Sequence, residues 1–485
     1  MTLEEMLQGI NVLEIKGSLD ISISSPAFDS RKVEQEGLYV AVPGTQVDGH
    51  IFIEGTIEKG AHAIVCEKFP EHIHPNVTYV RVASSSEALG QIAANFYNRP
   101  SERMKLVGVT GTNGKTTTVT LLARIFRALG YNVGFLSTIR NQINEDIIPS
   151  THTTPDAIQI NELMHGMVEA GCTYCFMEVT SHAIVQNRVG GLVFSGGVFT
   201  NLTHDHLDYH KTMEAYFDAK KQFFDGLGSG AFALSNIDDE RGHLIIKDTK
   251  ASKKTYSLNS QSDFKCQVME TNAAGLVLNL DGSVVRAKLK GRFNAYNILA
   301  AYAASLLLGG DRSRILEVIP ELDPVEGRFD FVPEVKGISG IVDFAHTPDG
   351  LEKILASVNE VKAEGGRLIT VVGCGGDKDK EKRPEMGKIA YENSDVVILT
   401  SDNPRSEDPL AIIQDMQQDF PVVIGDKALI IVDRREAIQK ACNMARPGDI
   451  VLVAGRGHEK YQFIGNQKIP FEDKVVLEES LMAVR

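Results

Sequence analysis

From Lys105 the chain reads KLVGV, then TGTNGKTTT, then VTLLARIFRALG. A short apolar run leads through a glycine-rich turn into a stretch where Val119, Leu122, Ile125, Phe126 and Leu129 recur at helical spacing. The pattern predicts a strand, a loop and a helix. Gly130 stands where a helix end favours a left-handed residue, and NVGFLST reads as the next strand, so a β-α-β unit of the parallel type is expected. Upstream, the short apolar runs GLYVAV, AHAIVCE and VTYVRV are interrupted by helical stretches such as SSSEALGQIAANFYN, which ends at a hinge-like Asn98-Arg99-Pro100-Ser101. Downstream of Gly327, GIVDF, RLITVVG, DVVILTS, ALIIV and DIVLVAG alternate with helical segments, as in a doubly wound sheet.

The expected architecture is α/β in three domains: an N-terminal α/β substrate module over 1–100, a central P-loop-type mononucleotide-binding domain over 101–328, and a C-terminal Rossmann-like domain over 329–485. The length of 485 residues agrees, at about 100–200 per domain. No internal repeat of fixed period is visible.

Composition narrows the class. With 43% hydrophobic and 24% charged residues, the chain is neither disordered nor fibrous. Its 50 Lys+Arg against 64 Asp+Glu give a net charge of −14, which disfavours a nucleic-acid partner, so an anionic ligand must be held by local donors. No window approaches the ~20 apolar residues of a membrane span, and MTLEEMLQGI lacks signal-peptide grammar; a cytoplasmic protein is expected. Six cysteines form no disulfide framework, and the Cys172-x-x-Cys175 pair in GCTYCFMEV reads as the entry to a buried strand.

TGTNGKTTT carries the most chemistry. It departs from G-x-x-x-x-G-K-[ST], which would need glycine at Val109, yet Gly111 and Gly114 still let backbone N–H groups wrap a triphosphate at a helix N-terminus. Lys115 is then placed for the β- and γ-phosphates and Thr116 for Mg²⁺. Ligands of open α/β sheets sit beyond the carboxyl ends of the strands, and two other predicted strands end in titratable groups. One ends at Glu178 and His182 in YCFMEVTSHA. The other ends at His204, Asp205, His206, Asp208 and His210 in GGVFTNLTHDHLDYH. Beside the loop, Glu178 and His206 are the expected holders of Mg²⁺ near the γ-phosphate.

Taken in order, GTNGKTT, EVTSHA, FTNLTHDHLDYH, GRFNAYNILAA, EGRFD, DFAHTPDGL and GRGHE resemble the Mur ligases across nearly the whole chain. These are ATP-dependent amide-bond formers of peptidoglycan precursor synthesis. Within that family, DSR at 29–31 with THTTPD at 151–156, and DNPR at 402–405 with GRGHE at 455–459, are similar to the branch that adds the third peptide residue. The resemblance implies that UDP-N-acetylmuramoyl-L-alanyl-D-glutamate is phosphorylated on its terminal carboxylate and that meso-2,6-diaminopimelate attacks the acyl phosphate. It implies catalytic roles for Lys115, Glu178, His206, Lys220 and Arg328, with Thr116, Glu178, His206 and Lys220, carbamylated by CO₂ within Y-x-x-x-K at Tyr216, holding Mg²⁺. ATP is expected on Gly111, Thr112, Asn113, Gly114, Lys115, Thr116, Thr117, Asn294, Asn297, Asp343 and His346.

By the same resemblance the nucleotide sugar and its peptide lie along Ser30, Thr45, Gln46, Val47, Thr153, Thr154, Thr180 (where the family usually carries Ser), Gln186 and Arg188. The incoming amino acid meets Arg383, Asp402, Asn403, Pro404, Arg405, Gly455 and Glu459. Diaminopimelate differs from lysine by a second carboxylate, and Arg405 offers it a bidentate cation. The rest of 377–383, in GGDKDKEKRP, reads as a solvated charge run. Arg328 falls at the central boundary, so reaching the γ-phosphate requires domain closure. A monomer is expected. Three readings remain beside this one: a lysine-adding ligase, against which DNPR speaks; a folate or polyglutamate ligase, which gives no reason for the DSR module; and a non-catalytic nucleotide-dependent binding protein.

Overall fold

The computed structural model describes residues 1–44, 47–150, 152–272, 274–420 and 427–484. It is a mixed α/β protein built on three main sheets, as the alternating apolar runs predict. The first has five strands: Pro26–Ala27, Leu38–Val40, Ala63–Cys66 and Thr78–Val82 run parallel, and Val12–Lys16 pairs antiparallel at the edge. It packs on the central part through the helix Ser85–Phe96, which lies against the helix Ala157–Glu169. Asn98 and Arg99, the expected hinge, both take left-handed backbone, with φ of 59° and 49°.

The central sheet has eleven strands. Its parallel heart is ordered Phe232–Asn236, Gly196–Phe199, Lys105–Thr110, Tyr174–Glu178, Val133–Leu136. The strands before and after the glycine-rich loop are therefore not neighbours. Tyr174–Glu178 lies between them, paired in parallel to both. Hairpins not anticipated from sequence extend the sheet at both edges: Asn141–Ile143 with Asp146–Ile148 on one side, and the meander Phe264–Asn272, Gly275–Leu280, Ser283–Ala287 on the other. Both Cys172 and Cys175 are buried beside Tyr174–Glu178, consistent with the strand-entry reading. The helix Lys115–Ala128 covers one face and is backed by the alanine-rich helix Phe293–Leu307, whose small side chains allow close approach.

The third sheet has six strands ordered Asp330–Val335, Ile338–Asp343, Ile450–Ala454, Leu368–Val372, Val396–Leu399, Ala428–Ile430. All but the first pair in parallel. A small hairpin, Tyr461–Ile464 with Gln467–Pro470, stands beyond it. Among the described residues no helix is long and apolar enough to cross a membrane. The feature that matters for chemistry is orientation: the carboxyl ends of the central and C-terminal parallel strands face the same cavity, about 750 Å³ in volume.

Candidate active site

The glycine-rich loop leaves Thr110 and enters the helix at Lys115 through two strained glycines. Gly111 has φ of 150° and Gly114 of 86°. A Cβ on Gly111 would lie 1.9 Å from Thr200 Oγ1, and one on Gly114 would lie 2.5 Å from Asn297 Oδ1, so neither position accepts a side chain. The helix that follows has no side-chain cap, whereas Ser85–Phe96, Ala157–Glu169 and Met213–Asp225 are capped by Ser84, Asp156 and Thr212. Its positive end is left open to the cavity, as an anion site requires.

Two lysines converge on one carbonyl. Lys115 Nζ donates to Gly111 O at 3.0 Å and Thr112 O at 2.8 Å, and Lys220 Nζ donates to the same Gly111 O at 2.9 Å. Lys220 is buried and Lys115 half-buried. Desolvation holds the Lys115 ammonium below its ordinary range against the pull of Glu178 and Asp205. Lys220 is pushed down much further by burial and by the neighbouring Lys115. Tyr216, one helical turn earlier, places its ring 4.5 Å from Lys220 Nζ and its hydroxyl 3.2 Å from Thr112 Oγ1.

Glu178 ends its strand buried, its carboxylate accepting from Thr138 N at 2.8 Å and Thr138 Oγ1 at 3.1 Å. The backbone carbonyl of Glu178 accepts Thr154 Oγ1 at 2.8 Å, and Thr154 and Thr180 hydroxyls meet at 3.3 Å. His206 sits in left-handed backbone with Nε2 3.4 Å from Asp205 Oδ2, and burial pushes its imidazole down to about 2. Asp205 is itself buried. Despite the cost of desolvation, His206, Lys382, His346 and Lys115 around it keep its carboxyl well below the usual range.

The C-terminal side, with the boundary residue Arg328, closes over this floor through several contacts. Arg328 Nη2 donates to Thr116 Oγ1 at 3.1 Å, and Asn113 Nδ2 to Asp349 Oδ2 at 2.9 Å. His204 Nε2 meets Asp379 Oδ2 at 3.1 Å, while Lys382 Nζ and His346 Nε2 approach Asp205 at 3.5 and 3.9 Å. Arg328 stacks 4.1 Å over the Phe344 ring, and its Nε has no partner among the described residues although it is buried. Burial lowers the Arg328 pKa. Behind it Asp343 accepts Phe329 N and Ala345 N, both at 2.6 Å, with burial raising its carboxyl to about 6. Burial lowers His346 to about 4.

At the far end of the cavity stand Asp402, Asn403, Arg405, Gly455 and Glu459. Asn403 Nδ2 donates to Glu459 Oε2 at 2.7 Å, and a Cβ on Gly455 would lie 2.7 Å from Asp402 Oδ2. Burial raises both the Asp402 and Glu459 carboxyls.

Of the residues expected from sequence, Thr112, Asn113, Gly114, Lys115, Thr116, Thr117, Thr153, Glu178, Thr180, His206, Asn297, Arg328, Asp343, His346, Asp402, Asn403, Arg405, Gly455 and Glu459 line this one cavity. Gly111, Lys220, Thr154 and Asn294 back it through the bonds above and through Asn297 Nδ2 to Asn294 Oδ1 at 2.9 Å. Arg188 bonds Thr154 O at 2.8 Å and Gln186 Oε1 at 2.7 Å, beside the cavity. Ser30 and Val47 lie on the N-terminal module away from its lining, and Thr45 and Gln46 fall outside the described residues.

The charge run at 377–383 requires correction. Asp379 and Lys382, read as solvated, are each 6% exposed and line the cavity. Arg383, expected to meet the amino acid, is fully buried behind it, paired with Glu407 and Asp415. Pro404 contributes its backbone turn and does not line the cavity. Thr138, Asp349 and Lys382 escaped the sequence reading, as did a wall of Asn236, Asp238, Arg292 and Tyr296 next to the loop. Tyr296 Oη donates to Asp238 Oδ2 at 2.9 Å. For Lys382, the alternating charges hid a buried side chain.

Comparison with known proteins matches three family models in succession: Mur ligase family, catalytic domain, over residues 23–97; Mur ligase middle domain, over 109–305; and Mur ligase, glutamate ligase domain, over 327–457. A UDP-N-acetylmuramoyl-L-alanyl-D-glutamate–2,6-diaminopimelate ligase of Cytophaga hutchinsonii is 50% identical over 482 residues, covering 99% of both chains. One of Phocaeicola vulgatus is 50% identical over 477 residues, covering 98% of this chain and 99% of its own. A solved structure of a ligase of the same name is 31% identical and superposes with a TM-score of 0.70 over 100% of this chain and 99% of the other.

Proposed function

The chain belongs to the Mur ligase family, and from that premise we propose that it joins meso-2,6-diaminopimelate to UDP-N-acetylmuramoyl-L-alanyl-D-glutamate at the expense of ATP. One observation carries the reading: the phosphate loop at Thr112–Thr117 and the acceptor end at Asp402, Asn403 and Arg405 line a single cavity, so an acid activated at one end is within reach of an amine held at the other.

In the proposed reaction a carboxylate oxygen of the glutamyl group attacks the γ-phosphorus, and the bond from that phosphorus to the ADP oxygen breaks. The amine nitrogen then adds to the acyl carbon and loses a proton, and phosphate leaves with the oxygen that had bridged carbon and phosphorus. Charge builds on phosphoryl and acyl oxygens, so donors matter more than a strong base. Lys115 exchanges two loop carbonyls for phosphate oxygens. Arg328, bonded to Thr116, brings to the same place a guanidinium whose Nε has no partner among the described residues. Asp343 holds the Arg328 segment through two short backbone bonds, and closure keeps water from the acyl phosphate.

Thr116, Glu178 and His206 offer a hydroxyl, a carboxylate and a neutral imidazole in one cavity, a donor set that fits Mg²⁺. Bound there, Mg²⁺ would neutralise phosphate charge. Lys220 fits carbamylation: burial beside Lys115 lowers its pKa and so favours the free amine that adds to CO₂, and the product is an anionic oxygen ligand. The wall of Asn236, Asp238, Arg292 and Tyr296 is assigned to the nucleoside, and Thr153, Thr154, Thr180, Gln186 and Arg188 to the muramoyl peptide. Ser30 and Val47 are assigned to the uridine diphosphate end. Arg405 is assigned to the distal carboxylate of the diamino acid, whose replacement by hydrogen in lysine leaves the guanidinium unpaired. The protein is taken to work in the cytoplasm, where these precursors are made.

The test is incubation with ATP, Mg²⁺, the UDP-muramoyl dipeptide and either meso-diaminopimelate or lysine, with products weighed by mass spectrometry. One amide product per ADP is expected, with diaminopimelate far preferred. Equal kcat/KM for the two acceptors overturns the specificity. Phosphate release with neither dipeptide nor amine present points to a nucleotide switch instead.

A further inference from the structure

Arg405 stands in left-handed backbone, with φ of 50°, clamped by the small hairpin: its N–H donates to Phe463 O at 3.1 Å and its carbonyl accepts Gly465 N at 2.7 Å. Among the described residues its guanidinium is engaged through Nη1 alone, which donates to Gly376 O at 2.7 Å and to Asn403 O at 3.4 Å. The aim of the remaining nitrogens therefore depends on where the Gly376 carbonyl is held.

That carbonyl belongs to the loop after Leu368–Val372, which is sewn to the Asp402–Glu407 segment. Gly376 N donates to Asn403 O at 2.9 Å, and a Cβ on Gly376 would lie 1.9 Å from Pro404 O, so the two backbones touch. Glu407 ties the seam. Its carboxylate accepts Arg383 Nη2 at 2.8 Å, Arg383 Nη1 at 3.0 Å, Asp377 N at 2.6 Å and Lys380 Nζ at 3.1 Å. Ser406 completes the link by donating to Asp377 Oδ1 at 2.6 Å. Arg383, with no exposed surface, is fixed in turn by Asp415 at 2.8 Å and by Gly375 O at 3.4 Å. Neither Glu407 nor Arg383 lines the cavity.

We propose that Glu407 is a positioning residue for acceptor choice, fixing the Gly376 carbonyl and hence the aim of Arg405 at the distal carboxylate of a diamino dicarboxylic acid. Its carboxylate stands one layer behind the cavity and touches no substrate. Arg383 serves the same seam, and its role in acceptor selection runs through Glu407 rather than through contact. The inference rests on the function proposed above. Bidentate recognition tolerates little displacement: if Gly376 O moves, Nη1 is released and the fork turns, while the ATP and dipeptide ends of the cavity, held by other strands, stay in place.

Glu407→Gln tests this, because it keeps the shape but presents an amide NH₂ to Arg383 and the Asp377 N–H. The KM for diaminopimelate is expected to rise about tenfold and the preference over lysine to fall by a similar factor, with the KM values for ATP and the UDP-muramoyl dipeptide within about twofold. Equal changes in all three KM values, or an unchanged preference for diaminopimelate, would overturn the positioning role while leaving the reaction assignment intact. An unmutated protein that makes no diaminopimelate product overturns both. If Glu407→Gln does not fold, Glu407→Asp, which keeps the charge but is one methylene shorter, is expected to show the same acceptor-specific split to a lesser degree, and its absence there overturns the proposal.

Discussion

Two groups of buried or half-buried cations lie within this chain, and they are built on opposite principles. Around the glycine-rich loop, Lys220 is buried and Lys115 and Arg328 are half-buried, none of them salt-bridged to a carboxylate among the described residues, and desolvation lowers the pKa of each. On the helices of the C-terminal domain, Arg383 and Arg434 are buried but held bidentately by Glu407 and Asp473, and their pKa values are raised. Arg434 Nε and Nη2 each donate to Asp473 at 2.8 Å, both side chains having no exposed surface. An unpaired buried cation costs folding energy and is retained where an anion will arrive; a paired one fixes the geometry of the chain around it. Under the function proposed above, the first group faces the phosphates and the second is scaffold behind the acceptor end.

Replacing one member from each group separates the two principles. Lys115→Ala is expected to lower kcat/KM by at least about 10³, or about 4 kcal/mol of transition-state stabilisation, without lowering the melting temperature, since it removes a desolvated charge. A variant that joined the substrates at the normal rate would break the assignment. Asp473→Ala should do the reverse. It leaves Arg434 buried and unpaired, so denaturant titration should show a loss of about 3–5 kcal/mol, whereas the KM values of the folded fraction stay near normal.

The two regions also differ in how far they could be read from sequence. Gly111, Gly114 and Lys115 announce themselves because a tight turn before an apolar helix needs consecutive residues of fixed type. Glu178 and His206 stand out at the ends of apolar strands. Each C-terminal parallel strand was legible as a run of apolar residues for the same reason: burial on both faces leaves no alternation to confuse. What was not legible depends on partners far along the chain. Nothing local tells that Tyr174–Glu178 inserts between the strands at Lys105–Thr110 and Val133–Leu136, or that Phe264–Ala287 extends that sheet as a polar-faced meander. The run around Asp379 and Lys382 mixes signs at every step, which looks solvated until His204 and Asp205 of another domain are brought against it. Arg383 was drawn to the wrong surface because a motif position specifies a residue type, whereas its Glu407 and Asp415 partners specify where it points.

Lys220 sharpens the comparison within the first group, since it is more deeply buried than Lys115 and its ammonium is the more depressed. A lowered ammonium pKa raises the share of free amine, the form that adds to CO₂. Assays in CO₂-depleted buffer should therefore lose at least about tenfold in rate and recover it on addition of bicarbonate, as expected for loss and return of a metal ligand. Carbon-13 spectra of the protein under labelled CO₂ should show a carbamate resonance that Lys220→Ala lacks. A rate indifferent to CO₂, with no such resonance, would place Lys220 with the scaffold cations instead.

The smallest expected effect comes from the second group. The Arg383 guanidinium beside Glu407 holds its carboxyl down to about 2, from an ordinary value of 4.5. A depressed carboxylate contributes its full stabilisation above the unfolded value and loses it as pH falls toward the folded one. The gap in melting temperature between the unmutated protein and Glu407→Gln should stay constant from pH 8 to about 5 and close progressively between about pH 4.5 and 2. A Glu407→Gln gap as wide at pH 3 as at pH 7 would mean that the seam beneath Arg405 is held by shape rather than by the Arg383 charge, and the distinction between paired and unpaired cations would not extend to the acceptor end.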